Sequence, residues 1–313
     1  TRSYSVTGVQ TCALPIWVVA TDLGTGSDTI LAQIAAEALG VGPEDIKVYA
    51  SDTDHSPFDV GAYASSTTYV SGNAVLKTAL AMRKVLVEAV AEKYVLKPEC
   101  VEFDGKNFFG PEGAMLTNLV DLSFDTLYHD RALMKTLSST ASFTGGKAPP
   151  PYMAGFAEIE VDLGTGKVKL LRYAAVVDCG TTINPNLARI QVEGGLLQGI
   201  GMALFERVVF GDRGKLMTNS LSRYAIPSRE DVGEIIVEFA ESYEPSGPYG
   251  AKSVGEIGID TPPAAIANAI YNAIGVRLPQ TPFTSDVVWK AILEHDPRPT
   301  TPKNLRPQTQ LPR

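Results

Sequence analysis

The chain has 313 residues, a formal net charge of -8, 44% hydrophobic residues and 20% charged ones. That composition is ordinary for a globular protein, and the length suffices for one large domain or two ordinary ones. No basic cluster offsets the acidic balance, which argues against nucleic-acid and anionic-membrane partners, and no apolar run approaches the ~20 residues of a membrane span. Cys12, Cys100 and Cys179 stand far apart without a CxxC pair, so neither a disulfide framework nor a cysteine metal site is expected, and a reducing cytoplasm fits this usage.

Residues 1–16, TRSYSVTGVQTCALPI, lack the layout of a cleavable signal and resemble translated adapter sequence, so they are expected to be foreign to the fold. On that reading the native sequence enters mid-domain near Trp17, with an N-terminal portion missing. Residues 17–295 form the body of the domain, and the Pro-rich stretch 296–313 is expected to be a disordered tail.

Trp17 to Thr21 reads as a buried strand and Thr29 to Leu39 as a helix with Ile30, Leu31, Ile34, Ala35 and Ala38 on one side. Gly40 to Pro43 stops that helix, and Ile46 to Ala50 is a second strand. A long loop rich in Ser, Thr and Gly leads to a helix over Asn73 to Tyr94; long ordered loops are often functional. Short strands are expected at Val101 to Phe103 and Asn107 to Phe109. Period-two alternation on both sides of Gly164-Thr165-Gly166 predicts a hairpin. A helix follows from about Leu187 to Glu206, and its glycines Gly194, Gly195, Gly199 and Gly201 imply that something large lies against its surface. Strands at Arg207 to Phe210 and Glu234 to Ala240, then helices at Pro263 to Ile274 and Ser285 to Leu293, complete the series. One clear hairpin and no regular βαβ rhythm favour an α+β architecture of mixed sheets with packed helices.

The pentapeptide DLGTG occurs twice, at Asp22–Gly26 and Asp162–Gly166. The second copy is a plain hairpin turn, whereas the first leads from a strand into a helix N-terminus, where backbone N–H groups can bind a phosphate. It has neither GxGxxG spacing nor a Walker lysine. The loop Gly61 to Thr68, GAYASSTT, offers backbone and hydroxyl groups to a polar ligand, and Gln191 can both donate to and accept from the edge of a heterocycle. His55, His129 and His295 have no partners at metal-ligand spacing. Glu256, in GPYGAKSVGEIGID, is an acid among small and apolar residues; poor solvation there would make it a better proton acceptor. The alternative is an acid that merely favours a helix N-terminus.

VVATDLGTGSDTILAQIAAEALG, DVGAYASSTTYVSGNAV, VVDCGTTINPNLARIQVEGGLLQGIGMALFE and GPYGAKSVGEIGIDTPPAAIANAIYNAIGVRL, in this order, resemble the molybdenum-binding large subunit of the xanthine dehydrogenase/aldehyde oxidase family. The resemblance covers nearly everything from Trp17 to Trp289 and implies the C-terminal part of that subunit. It also implies a molybdenum–molybdopterin cofactor, often in its cytosine dinucleotide form, with 2Fe-2S and FAD groups on partner subunits. The chemistry implied is oxidative hydroxylation of an N-heterocycle or aldehyde carbon with oxygen from water, Glu256 serving as general base. Gly24, Thr25, Gly26 and Ser27 match the turn at the cofactor, Thr25 replacing a common Gln. Ala62, Ala64, Ser65 and Ser66 belong to the loop that approaches metal and pterin, and Gln191 matches the glutamine that hydrogen-bonds the pterin. Molybdenum is held through the pterin, near Ala64 and Glu256, and no side chain of the chain is expected to ligate it. The family's first cofactor half would lie before Trp17, so the chain alone is expected to be inactive. The DVGAYASS loop and the end of the Asn272 to Leu278 stretch also resemble the 4-hydroxybenzoyl-CoA reductase branch, a dehydroxylating alternative. A different class of answer is a non-catalytic module binding an anion at Gly24 to Ser27.

Overall fold

The computed structural model describes residues 14–18, 20–52, 54, 61–126, 137–146 and 148–295. His55, His129, most of the segment 1–16 and the tail 296–313 lie outside the described residues. The chain divides into two units, the first made of 1–152, 177–191 and 239–256, the second of 153–176, 192–238 and the remainder.

In the first unit, β1 (Leu14–Val18) and β2 (Ile46–Ala50) pair in parallel with Ile16 opposite Val48. β1 sits three residues earlier than the apolar run suggested, because pairing with β2 sets its register. It takes in Leu14, Pro15 and Ile16 of the segment set apart above. Helix α1 (Ser27–Leu39) buries Leu31, Ile34, Ala35 and Leu39 in one core with Val75 and Ala79 of α2 (Gly72–Tyr94). A π-helical turn over Thr67–Ser71 leads into α2, so helical structure begins earlier than the polar composition implied. Gly40, at φ 78°, closes α1 by donating to the Ala36 carbonyl, and Arg83 from α2 donates to the Leu39 carbonyl at 2.7 Å.

The far half of α2 packs Leu86, Ala89 and Val90 into a second core with Phe103, Phe108 and Leu122. There β3 (Glu102–Phe103), β4 (Asn107–Phe109) and β5 (Met115–Asn118) form an antiparallel sheet. Strand β5 and helix α3 (Leu119–Phe124) were not anticipated. Both are too short for periodicity to register, although Asn118, whose side chain accepts the Asp121 N–H at 2.9 Å, is a readable N-cap.

The expected hairpin is present as β6 (Tyr152–Val161) and β7 (Val168–Asp178), most of it in the second unit, with β8 (Glu234–Phe239) beside β7. Helix α4 (Pro185–Leu204) enters the second unit at Val192; α5 (Pro262–Ile274) and α6 (Ser285–His295) follow. In this unit Leu170, Tyr173, Leu196, Ile200, Ile266 and Ile270 are fully buried. The strand expected at Arg207 to Phe210 is absent: Phe210 makes only an isolated bridge to Leu216, and Val208 and Phe210 stay exposed. What lies against Gly195 and Gly199 of α4 is chiefly backbone, against Gly201 the Glu206 side chain, and against Gly194 nothing. A Cβ on Gly195 would come within 2.9 Å of the Gly258 Cα, and one on Gly199 within 2.7 Å of the Ile259 carbonyl oxygen.

One further junction, in the first unit, positions the segment that carries Glu256. After β7 the chain runs alongside residues 250–252. Gly180 bridges Ala251, Thr181 N–H donates to the Gly250 carbonyl at 2.9 Å, and Lys252 N–H donates to the Cys179 carbonyl at 2.7 Å. Gly180 has φ 69°, and a Cβ there would meet the Gly250 oxygen at 2.2 Å. The Lys252 ammonium pairs with Asp178 at 2.7 Å, and Ser242 also donates to that carboxylate. Burial alone would raise the Asp178 carboxyl. Hydrogen bonds from Lys252, Ser242 and the Gly180 N–H, with the Lys252 charge, together hold it below its usual value.

Two outcomes follow for stability. Asp178→Asn strands an ammonium whose side chain is 9% exposed, whereas Lys252→Met leaves a carboxylate that is 25% exposed. Asp178→Asn is therefore the costlier change, by about 3 kcal/mol in denaturant unfolding against roughly half that for Lys252→Met. Because the folded carboxyl is the stronger acid, its contribution is present above the unfolded pKa of about 3.9 and is lost as pH falls through the lower folded value. The gap between wild type and Asp178→Asn thus stays constant from pH 7 to 5 and narrows below about pH 4. In α4, Gly195→Ala and Gly199→Ala should each destabilise by about 1–2 kcal/mol through overpacking. Gly194, with nothing within 4 Å of a built Cβ, should gain up to about 1 kcal/mol from alanine, as thermal unfolding will register.

Candidate functional site

The turn before α1 is organised by its leading aspartate. Asp22 accepts the N–H groups of Gly24 at 2.8 Å and Gly26 at 3.1 Å on one oxygen, and that of Asp28 at 3.4 Å on the other. Burial alone would raise the Asp22 carboxyl, but these backbone donors lower it. In the second DLGTG, Asp162 accepts the Gly164 and Thr165 N–H groups in the same manner. Both copies are thus capped by their own aspartate, although Gly26 donates to the Asp22 side chain and Gly166 to the Asp162 backbone carbonyl. The amides of Gly24 and Gly26 that the sequence offered to a phosphate are taken by the protein's own carboxylate. This removes the observation on which an anion-binding module would rest. Gly26 has a packing reason as well: at φ 74°, a Cβ on it would lie 2.6 Å from Leu187 Cδ1.

Beyond that turn, two side-chain polar atoms are buried without a hydrogen-bond partner among the described residues, Ser27 Oγ and Asp28 Oδ1. Burial, then the neighbouring Asp22 charge, raises the Asp28 carboxyl. Ser27 is 2% exposed and faces a cavity of about 280 Å³. Thr25, Ala62, Ala64, Ser65, Ser66, Gln191 and Glu256 line the same cavity, so seven further residues singled out from the sequence converge there. Gly24 and Gly26 are not in the lining. All of these residues belong to the first unit.

The loop 61–66 reaches this cavity through two successive non-glycine residues in the left-handed region, Ala64 at φ 49° and Ser65 at φ 56°. Such conformations cost on the order of 1–3 kcal/mol each and persist only where surrounding structure enforces them. The Ser65 hydroxyl donates to Glu256 Oε2 at 2.8 Å and accepts from the Glu256 N–H at 2.9 Å. Gly255 permits this approach, since a Cβ there would sit 3.1 Å from Ser65 Oγ and 3.2 Å from its Cα. Gln191, on the first turns of α4, donates through Nε2 to the Gly255 carbonyl at 2.7 Å. Asn184 starts that helix by accepting the Leu187 N–H at 3.1 Å, just ahead of Pro185 at the first helical position.

Glu256 departs from expectation in one respect. Within the described residues of this chain it is exposed, not secluded among apolar groups. Its carboxylate is held by a hydrogen bond instead of being desolvated.

Residues that the sequence reading did not single out also line the cavity: Cys179, Thr181, Thr182, Asn184 and Lys252. A hydroxyl-rich DCGTTINP between a strand end and a helix start was the available signal. The Cys179 thiol is pushed up to about 11 by burial and the adjacent Asp178 charge, so it is a neutral thiol at physiological pH. The lining thus combines apolar side chains, Leu23, Ile30, Ile183, Leu187 and Val254, with hydroxyls, amides, one thiol and one carboxylate, the mix of apolar wall and a few hydrogen-bonding groups common in small-molecule sites. Among the described residues no three His, Cys, Asp or Glu side chains gather into a metal-binding group, and no helix is long and apolar enough to cross a membrane.

Residues 14–233 match the molybdopterin cofactor-binding domain family. The chain is 35% identical over 286 residues to the probable hypoxanthine oxidase of Escherichia coli (strain K12), covering 87% of this chain and 28% of that protein. It is 35% identical over 274 residues to the aldehyde oxidoreductase molybdenum-binding subunit of the same organism, covering 85% of this chain and 35% of that subunit. Among solved structures, quinoline 2-oxidoreductase from Pseudomonas putida 86 superimposes with a TM-score of 0.81 at 27% identity, covering 90% of this chain and 36% of that one. The chain therefore spans about a third of the length of these relatives. With a family match over most of its length, the chain belongs to the molybdopterin cofactor-binding domain family found in the molybdenum-binding subunits of the xanthine dehydrogenase and aldehyde oxidoreductase type.

Proposed function

We propose that the protein carrying this chain is a molybdopterin-dependent hydroxylase in which Glu256 is the general base. The observation that carries the proposal is the Glu256 carboxylate fixed by Ser65 at a cavity whose lining includes a buried, unpartnered hydroxyl. The residues fit the cofactor: Ser27 Oγ has no partner of its own, and the strained Ala64–Ser65 backbone holds a small-residue wall. Thr25, Ser27, Ala62, Ala64, Ser66 and Gln191 are the residues assigned to hold it. When bound, the cofactor supplies the oxidation, in which a substrate C–H becomes C–OH with oxygen from water while two electrons and two protons leave.

This chain's contribution is to position and accept a proton. Ser65 occupies Oε2 of Glu256, so Oε1 is the oxygen assigned to receive the proton. The substrate is assigned to the class of N-heterocycles or aldehydes, in keeping with relatives named for hypoxanthine, quinoline and aldehyde. The same proposal includes the cytosine dinucleotide form of the cofactor and partner subunits bearing 2Fe-2S and FAD. The designation of several relatives as subunits of larger complexes supports the partners.

The test uses the cofactor-loaded enzyme that contains this chain, with hypoxanthine, quinoline, benzaldehyde and 4-hydroxybenzoyl-CoA as probes. A redox dye serves as acceptor for the first three and a reduced dye as donor for the thioester. Glu256→Gln should lower kcat on the accepted probe by at least about 10²–10⁴-fold while molybdenum per chain is unchanged. Turnover within tenfold of wild type would remove Glu256 from the chemistry, and reduction of the thioester alone would move the enzyme to the dehydroxylating branch.

A further inference from the structure

We infer that Ser65 is a positioning residue for Glu256, and that its hydroxyl works on the base and not on the cofactor; the inference rests on the general-base role proposed for Glu256. From sequence, Ser65 is one of several small residues in a cofactor-facing loop, and nothing distinguishes it from Ser66 beside it. The hydrogen bonds do distinguish them. A hydroxyl has one proton to give, and that of Ser65 goes to Glu256 Oε2 at 2.8 Å, while a lone pair of the same oxygen receives the Glu256 N–H at 2.9 Å. With its proton committed, Ser65 has no donor left for a ligand, whereas Ser66 reaches only the Gly61 carbonyl at 3.5 Å.

The two bonds close a ring between one side chain and both ends of Glu256, the peptide N–H and the carboxylate. That ring fixes where the backbone of Glu256 lies and how its side chain is turned. Donation to Oε2 occupies that oxygen and leaves Oε1 for the incoming proton. Ser65 works through Glu256 and touches no reacting atom in this scheme.

Two independent features hold the ring in place. Gly255 lets the two segments approach closely, since a Cβ there would press on Ser65 Oγ at 3.1 Å and on its Cα at 3.2 Å and push the pair apart by a few tenths of an ångström. Gln191 donates to the Gly255 carbonyl at 2.7 Å, so the peptide leading into Glu256 is restrained from the opposite side. Ser65 itself is reached only through the left-handed pair Ala64–Ser65. A strained backbone that delivers one hydroxyl to one carboxylate is the pattern expected of a functional constraint.

The test uses Ser65→Ala and Ser65→Gly in the cofactor-loaded enzyme. The glycine variant removes the hydroxyl while relieving the left-handed backbone, so a folding defect confined to the alanine variant does not obscure the result. Both should lower kcat by about 10–100-fold, the scale of a modest misplacement of a catalytic group, with KM within about threefold of wild type. Molybdenum per chain should be unchanged. Hydrogen–deuterium exchange at the Glu256 amide, which loses its acceptor, should become at least tenfold faster. In the Glu256→Gln background, Ser65→Ala should cause no further loss, because a residue that acts only through Glu256 has nothing left to act on. Loss of molybdenum in step with activity, or an additive loss in the double variant, would make Ser65 a cofactor contact and overturn the inference. Unchanged kcat with accelerated exchange would also overturn it. Full turnover by Glu256→Gln alone would instead refute the general-base role, a result read before any Ser65 variant is made.

Discussion

A single hydroxyl ties together two segments that lie 191 residues apart in the chain. Ser65 sits at the end of a loop that leads through a π-helical turn into α2, and Glu256 ends the stretch that runs alongside the exit of β7. Neither side chain is buried, so the pair of hydrogen bonds, the close backbone approach at Gly255 and the Gln191 hydrogen bond to the Gly255 carbonyl define their geometry. The rest of the first unit can be understood as what holds those two segments still. The α1–α2 core anchors the Ser65 side, and the backbone bridge between Gly180 and Ala251, with the Lys252–Asp178 pair, anchors the Glu256 side.

Charge is managed locally around the cavity. Asp22 uses its carboxylate on the backbone of its own turn, and Lys252 spends its ammonium on Asp178 and the Pro150 carbonyl. What remains in the lining is largely uncharged: apolar side chains such as Leu23, Ile30, Ile183 and Leu187, with hydroxyls and the Gln191 amide among them, and Glu256 as its one carboxylate. A largely apolar wall with a few placed hydrogen-bonding groups is the usual make-up of a small-molecule site. Ser27 is the telling member, since a hydroxyl buried without a partner is destabilising by about 1–3 kcal/mol unless a ligand satisfies it.

The glycines of α4 illustrate a different division of labour. Gly195 and Gly199 let the 258–259 backbone and Pro262 lie directly on the helix in the second unit, whereas Gly194 meets nothing. The same residue type in one helix therefore answers to close packing at two positions and to no contact at a third. Composition could show that something approaches the helix, but it could not separate backbone from ligand.

Helices α1, α2, α4, α5 and α6, strand β2 and the β6–β7 hairpin were legible in the sequence because each has enough residues for its period to repeat. β3 and β4, shorter still, were anticipated from their apolar residues, whereas β5 and α3 were not. The strand expected at Arg207 to Phe210 does not form, its apolar run making only the Phe210–Leu216 bridge. Of the site, the sequence by itself determined which segments matter: 24–27, 61–68, 191 and 256 carry small, hydroxyl-bearing or acidic residues in runs that a core does not require. Tertiary structure alone decided what each does. The Gly24 and Gly26 amides face Asp22, Glu256 stands exposed within this chain, and Ser65 rather than Ser66 hydrogen-bonds it. Those outcomes depend on which donor meets which acceptor across long stretches of chain, and hydrogen bonds between distant segments leave no periodic trace in the order of residues.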